Sequence, residues 1–399
     1  MSKHIAMPLL LLLAGISALT PFATDGYLSA IPIMATDLNA DISLIAITVS
    51  LYILGLAIGQ IIGGPLSDKF GRKPIIVLGL VLFSLGSFLI PYATSLHLLW
   101  ALRLFQAIGG GIAVVGVPAI IRDNTVGKDS ARLFSLIMLI TMLAPSIAPS
   151  VGTLILKTLN WEWIFTSLGL MGSLVTLCVI FIMPKQNRVQ HSIKRMGYLS
   201  VFRERQALGY LLAQAFALSV LMTFLTNVPF AYIEHFGVSE TVFSILLFLN
   251  VAGVVVINRL NNFLLHKHEP SSLLKIFLSM QFTGVLILVS ATAFFSEHLW
   301  VSVFGFVTII AAMGGIMPNS SACFMFYFGK NAGVAAAVLG ATQYVTAAVV
   351  SAIAAILITD SMWPMVLVMM VASCIALFGA LVSSHVQLDE VSLTESTAI

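Results

Sequence analysis

The chain has 399 residues, of which 59% are hydrophobic and only 9% charged. A soluble protein carries about 25% charged residues, so a water-facing surface cannot be built from this composition. The formal net charge of +3 is a topology signal and gives no ground for a nucleic-acid partner.

Apolar residues recur in blocks of about 20, the length a helix needs to cross roughly 30 Å of hydrocarbon. Twelve such spans are predicted, at approximately 8–31, 44–65, 75–94, 98–121, 133–156, 164–183, 207–232, 241–260, 273–294, 299–321, 332–358 and 363–384. Backbone in lipid must satisfy its own hydrogen bonds, so the expected fold class is an all-α polytopic membrane protein. The first block follows Lys3 like a signal peptide. It lacks a convincing small-residue cleavage site and runs on through Pro21 and Asp25, and it is read as a retained span 1. With both termini cytoplasmic, the Lys and Arg residues fall in cytoplasmic segments or at their edges. The exceptions are Lys157 outside and Arg103 within a span. Cys178, Cys323 and Cys374 sit in apolar spans with neither disulfide nor zinc spacing.

Span 1 carries Asp25 in LTPFATDGYLSAIP. A charge inside a span costs about 2.5–3.5 kcal/mol on insertion scales, which favours a proton-binding carboxylate over a merely structural acid. Spans 2 and 3 are joined by GGPLSDKFGRKP, residues 63–74, a short basic turn holding Asp68 and Arg72 four residues apart. Gly55, Gly59 and Gly63 form a ridge on span 2 that permits close helix approach, read as a face that moves between the two halves. Span 4 holds Arg103, the one base deep in a span and the expected partner of Asp25, with Gln106 on its face three residues on. A fixed charge bonded to carbonyls is the alternative for Arg103. Asp123 opens the loop between spans 4 and 5, where Arg72 is expected to bridge it to Asp68 as a latch. In span 5, Pro145 and Pro149 remove two backbone donors and should bend the helix, while Ala144, Ala148 and Gly152 form a smooth seam.

Residues 184–206 are the longest polar interruption and read as a cytoplasmic linker. They divide the chain into an N-terminal six-helix bundle (1–183), the linker, a C-terminal six-helix bundle (207–384) and a cytoplasmic tail (385–399). The second-half loop, NRLNNFLLHKHEP, keeps Arg259 and Lys267 but has no acid at the place of Asp68. Span 11 offers a second small-residue face in Gly333, Ala336, Ala337, Gly340 and Ala341. No histidine lies deep in a span, and zinc-hydrolase, nucleotide-binding and serine-hydrolase motifs are absent. Neither catalytic nor metal-ligating residues are expected.

The loop, with Gly64, Asp68, Lys69, Gly71, Arg72 and Lys73, resembles the signature between spans 2 and 3 of the major facilitator superfamily. The span-5 seam Pro145, Ala148, Pro149 and Gly152 resembles that superfamily's antiporter signature, with Ala148 for a glycine. TDGYLSAIP, RLFQAIGGG leading to IIRD, and AGVAAAVLGATQ are similar to Bcr/CflA-type multidrug and bicyclomycin/chloramphenicol resistance transporters, with Ser29 in place of a usual proline. The resemblance implies two six-helix bundles around a central cavity that opens alternately to each side. It implies a monomeric drug:proton antiporter of a bacterial inner membrane, using Asp25 and Arg103 for coupling. The partners are a small-molecule substrate and the lipid bilayer, with protons as coupling ion and no cofactor. Candidate cavity residues are Tyr27, Tyr52, Gln106, Asn227, Asn250 and Gln343. The alternatives are export of one endogenous metabolite or siderophore, a proton symporter, or a non-transporting membrane sensor.

Overall fold

The computed structural model describes residues 7–183, 197–295, 298–357 and 361–383, so most of the linker and the whole tail lie outside the described residues. Among the described residues all regular structure is helical. Eleven helical runs are long and apolar enough to cross a membrane. Span 5 lies in a further helix of 32 residues, Gly127–Thr158, which completes the twelve expected.

Several helices extend past the apolar blocks. Span 2 is Ile42–Phe70 and span 3 is Arg72–Leu89, so the charged stretch expected as a turn is helical except at Gly71. Gly71 has φ +96°, a conformation that an L side chain resists, and this alone reverses the chain. Span 4 is Leu96–Val114 continued by Gly116–Asn124, which moves Asp123 from a loop into a last helical turn. Ser95 caps the start of span 4 by accepting from the Leu98 N–H. Span 6 is Trp161–Ile182. Span 7, Arg205–Pro229, runs into a π turn, Phe230–His235, and span 8 is Glu240–Leu264. Spans 9 to 12 are Pro270–Phe294, Leu299–Phe326, Ala332–Ile356 and Trp363–Val382.

Span 1 is not one helix. It runs Met7–Asp25, breaks at Gly26 and Tyr27, makes a 3-10 turn over Leu28–Ala30 and resumes as Ile31–Asp37. Pro32 near the start of the second piece suits a first turn, whose N–H groups have no helical acceptor.

By contacts, the chain forms two units. Unit 1 takes Met1–Thr125, Leu136–Val201 and Phe328–Val345; unit 2 takes Val126–Ser135, Phe202–Tyr327 and Thr346–Ile399. The division therefore does not follow the linker alone. The first turns of span 5 belong with spans 7 to 10, and the first half of span 11 with spans 1 to 6.

Inside unit 1, the glycine ridge of span 2 faces span 4. Side chains at Gly55, Gly59 and Gly63 would run into Leu104, Ala107, Ile108, Gly111 and Ile112. This corrects the reading of that ridge as a moving face: it is packing between two helices of one bundle. The adjacent Gly64 is the residue that meets Gly333 and Ala337 of span 11. In unit 2, Gly209 and Gly379 bring spans 7 and 12 together in the same way.

A direct check of the span 2–span 4 contact is Gly59→Val. Its side chain would meet the Ile108 carbonyl, which is backbone and cannot swing aside. Overpacking of this kind costs about 1–3 kcal/mol. Purified Gly59→Val should melt at a clearly lower temperature in detergent, whereas Gly197→Val, which meets open space, should melt like the parent.

Candidate functional site

Unit 1 gathers its polar side chains into two centres. The first lies at the break in span 1. Asp25 ends the first helical piece and is half-buried. Arg103 is fully buried. Its Nη1 donates to Gln106 Oε1 at 2.6 Å and its Nη2 to the Ala23 carbonyl at 3.0 Å. Gln106 in turn donates from Nε2 to Ser87 Oγ at 2.7 Å. Ala23 sits four residues before Tyr27, where the helix has broken, so the guanidinium takes up an acceptor beside the break.

Three rings enclose that guanidinium. Tyr27, Tyr52 and Phe165 have centroids 4.4, 4.9 and 5.4 Å from its central carbon. A desolvated cation over an aromatic face gains about 2 kcal/mol, so the cage offsets part of the burial of charge. Tyr27 is fixed by a 2.7 Å hydrogen bond between its hydroxyl and Thr48 Oγ1, and its ring lies 5.5 Å from that of Phe165. Arg103 Nε has no partner among the described residues.

The expected pairing of Arg103 with Asp25 is not what this geometry gives. Among the described residues no ion pair joins them. Arg103 is held by an amide, a carbonyl and rings, and it touches the Asp25 segment through Ala23 and Tyr27. Span 5 supports the same break from the other side. Ala148 is fully buried, and Gly152 lies so close to the Gly26 carbonyl that a side chain there would collide with it. The helix passes both prolines without interruption; Pro149 is half-buried, and the side chain of Pro145 lies outside the described residues.

The second centre is the loop end of spans 2, 3 and 4. Arg72 Nη1 contacts Asp68 Oδ1 at 2.6 Å, and Arg72 Nε contacts Asp123 Oδ2 at 2.9 Å. Ser67 Oγ accepts a third bond at 3.1 Å. Asp68 also serves span 11: its Oδ1 and Oδ2 accept from the Gly333 and Val334 N–H groups at 3.0 and 2.8 Å. These are first-turn donors without helical acceptors, and the dipole there favours an anion. Lys73 Nζ caps the other polarity, donating to the Ile180 and Met183 carbonyls at the end of span 6 at 2.7 and 2.6 Å.

Tyr198 adds a contact that the sequence did not signal. Its hydroxyl donates to the carbonyl of Ile61 in span 2. Four residues on from Ile61 stands Pro65, which has no N–H to give that carbonyl. Burial, with the charge of Asp68 adding to it, pushes the Tyr198 hydroxyl up to about 12. It therefore stays protonated, and a donor, across any physiological pH.

The remaining candidates divide between the units. Gln343 is half-buried in the unit 1 part of span 11. Asn227 and Asn250 are buried in unit 2, each donating to a carbonyl of its own helix, Thr223 at 2.8 Å and Leu246 at 2.9 Å. Those bonds pin neither residue to a neighbouring helix. Sequence reasoning missed Ser87 and Phe165 around Arg103, because a hydroxyl and a ring at those depths carry no signal of their own.

The chain matches the Major Facilitator Superfamily over residues 13–351. It is 30% identical over 366 residues to a bicyclomycin resistance protein homolog of Haemophilus influenzae, covering 90% of this chain and 92% of that protein. It is 30% identical over 341 residues to the multidrug resistance protein MdtL of Vibrio parahaemolyticus, covering 83% and 84%. Among solved structures, the transporter FucP in the outward conformation has the same fold, with a TM-score of 0.78 at 15% identity over 94% of this chain and 98% of that one. The signature loop and these likenesses agree: the chain belongs to the Major Facilitator Superfamily, a family of multi-pass membrane transporters and not of enzymes.

Proposed function

We propose that this protein is a proton-coupled antiporter that exports small amphipathic drugs or toxic compounds across a bacterial inner membrane, with both termini cytoplasmic and the monomer as working unit. The observation that carries the reading is the half-buried Asp25 at the break of span 1, beside a guanidinium whose two terminal nitrogens bond other groups. The bicyclomycin and multidrug relatives support the substrate class.

The chemistry asked of the site is small. Asp25 takes a proton when it faces outward and gives it up when it faces inward. Each change alters the charge next to Tyr27 and the backbone that Arg103 holds. One elementary charge crossing 100 mV is worth about 2.3 kcal/mol, enough to drive uphill export. Substrate and proton compete for one carrier, so movement of one is exchanged for the other. The loop-end charges have a separate task, which is to hold the start of span 11 against span 2 in one state of the cycle.

Asp25→Asn tests the coupling, since the amide keeps the shape and cannot titrate. In proteoliposomes with ethidium as probe, the variant should lose accumulation driven by a pH gradient and retain downhill movement. Gradient-driven accumulation at the parental level would remove Asp25 from the mechanism.

Arg103 separates charge balance from backbone support. Arg103→Met leaves the Ala23 carbonyl and Gln106 without their donor, a loss of about 1–3 kcal/mol for a buried group. Adding Asp25→Asn should recover little of that in a thermal melt, because the missing contacts are not to Asp25. Full recovery in the double variant would show that charge balance was the role of Arg103.

Asp68→Asn removes the negative charge from the start of span 11 and from Arg72. An anion in this position is worth up to about 2 kcal/mol, and one or two kcal/mol changes a two-state ratio by roughly 5–30 fold. Distance distributions between spin labels on the inner ends of spans 2 and 11 should shift by that factor toward separation. Substrate affinity should change less than this ratio does.

A further inference from the structure

The second-half loop has no acid in the place of Asp68, yet unit 2 also ties the early turns of a helix to its neighbour, by other bonds. Ser135, in the first turns of span 5, is fully buried, and its side chain and carbonyl bond to span 8. Its carbonyl accepts from Asn258 Nδ2 at 3.1 Å, and its Oγ accepts from Asn261 Nδ2 at 2.9 Å. Asn261 Oδ1 accepts from Asn319 Nδ2 at 2.6 Å. The same donor groups hold a reserve: Asn258 also donates to the Gly314 carbonyl at 3.1 Å and Asn319 to the Gly315 carbonyl at 2.8 Å. At the rim, Lys128 and Glu269 form an exposed pair at 2.9 Å.

We propose that Ser135, Asn258, Asn261 and Asn319 are positioning residues of the transport cycle. In one state they form an uncharged latch that fastens the first turns of span 5 to span 8, which Asn258 and Asn261 in turn tie to span 10, and the latch releases span 5 in the other state. The proposal rests on the alternating cycle of the preceding reading, but not on its coupling ion or substrate.

Two features suit a latch better than a permanent staple. When span 5 leaves, Asn258 and Asn319 keep their bonds to the glycine carbonyls, and the bonds to Ser135 are the ones given up. Only Asn261 loses its donor's acceptor outright, so its amide is the element that commits the latch. Because no member is ionised, opening leaves no bare buried charge behind. The neutral bonds themselves offer salt nothing to screen, unlike the Lys128–Glu269 pair at the rim and the Asp68 latch, whose acids are partly exposed.

The test uses the full-length protein with its native cysteines replaced and spin labels at Val126 and Lys267, both exposed and both in unit 2. Ser135→Ala and Asn261→Leu should each shift the distance distribution toward separation by about tenfold, the effect of one or two lost neutral hydrogen bonds. Ser135→Thr, which keeps the hydroxyl, should restore the parental distribution. In a Lys128→Gln background, which removes the rim ion pair, raising salt from about 0.05 M to about 1 M should leave the ratio unchanged. If Asn261→Leu fails to fold, Ser135→Ala, which removes one oxygen, decides alone. An unchanged distribution in Ser135→Ala alongside a lowered melting temperature would make the network a static scaffold and overturn the proposal, as would a salt-dependent ratio in the Lys128→Gln background. Because no transport is measured, loss of proton coupling elsewhere would count against the antiporter reading and leave this result intact.

Discussion

Within a bilayer, a backbone carbonyl or N–H that loses its helical partner finds no water to replace it, and each such group costs several kcal/mol if left bare. Unit 1 interrupts its helices and supplies a side chain near each interruption. At the break of span 1, Arg103 bonds the Ala23 carbonyl. In span 2, where Pro65 cannot serve Ile61, Tyr198 does. At the end of span 6, Lys73 covers two carbonyls. The opposite need arises at the start of span 11, where the N–H groups of Gly333 and Val334 meet the carboxylate of Asp68. Charges are scarce in this chain, and three of these four side chains, Arg103, Lys73 and Asp68, are charged.

That arrangement decides what Asp25 is able to do. A guanidinium in an ion pair with Asp25 would hold the carboxylate as a fixed anion, and protonation would then leave a buried cation uncompensated. Instead other groups hold the guanidinium: an amide, a carbonyl and three rings surround Arg103, and its Nε is without a partner among the described residues. Changing the charge of Asp25 therefore disturbs a neighbour and does not abandon a partner. The seam of span 5 borders the same break, because Gly152 packs against the Gly26 carbonyl next to Asp25.

Hydropathy was enough to place the spans, because a length of about 20 apolar residues has few other uses. It stopped short at their ends, since a hydropathy profile falls at the first charge while helical hydrogen bonding continues through it. This is why residues 63–70 and Asp123 are helical. The neighbour of Arg103 on its own helix, Gln106, was legible from a spacing of three. The Ala23 carbonyl was not, because a main-chain acceptor becomes available through a break that the one-letter code marks only by Gly26 after Asp25. The glycines of span 2 were visible as a ridge, but a ridge does not name the helix it faces. Gly63 and Gly64 are neighbours in sequence and look toward different helices.

The two helix starts, of span 11 in unit 1 and of span 5 in unit 2, are fastened by different chemistry, and burial explains the difference. The side chains of Asp68 and Asp123 retain 15% and 21% of their exposure, so their charges stay partly hydrated and Arg72 can be shared between them. Asn261 and Asn319 have none and Asn258 has 1%. A carboxylate in that setting would carry a desolvation penalty, whereas a carboxamide brings donor and acceptor without net charge. The missing acid in NRLNN is therefore no lapse from the first-half pattern. It is the form a helix fastening takes where water does not reach.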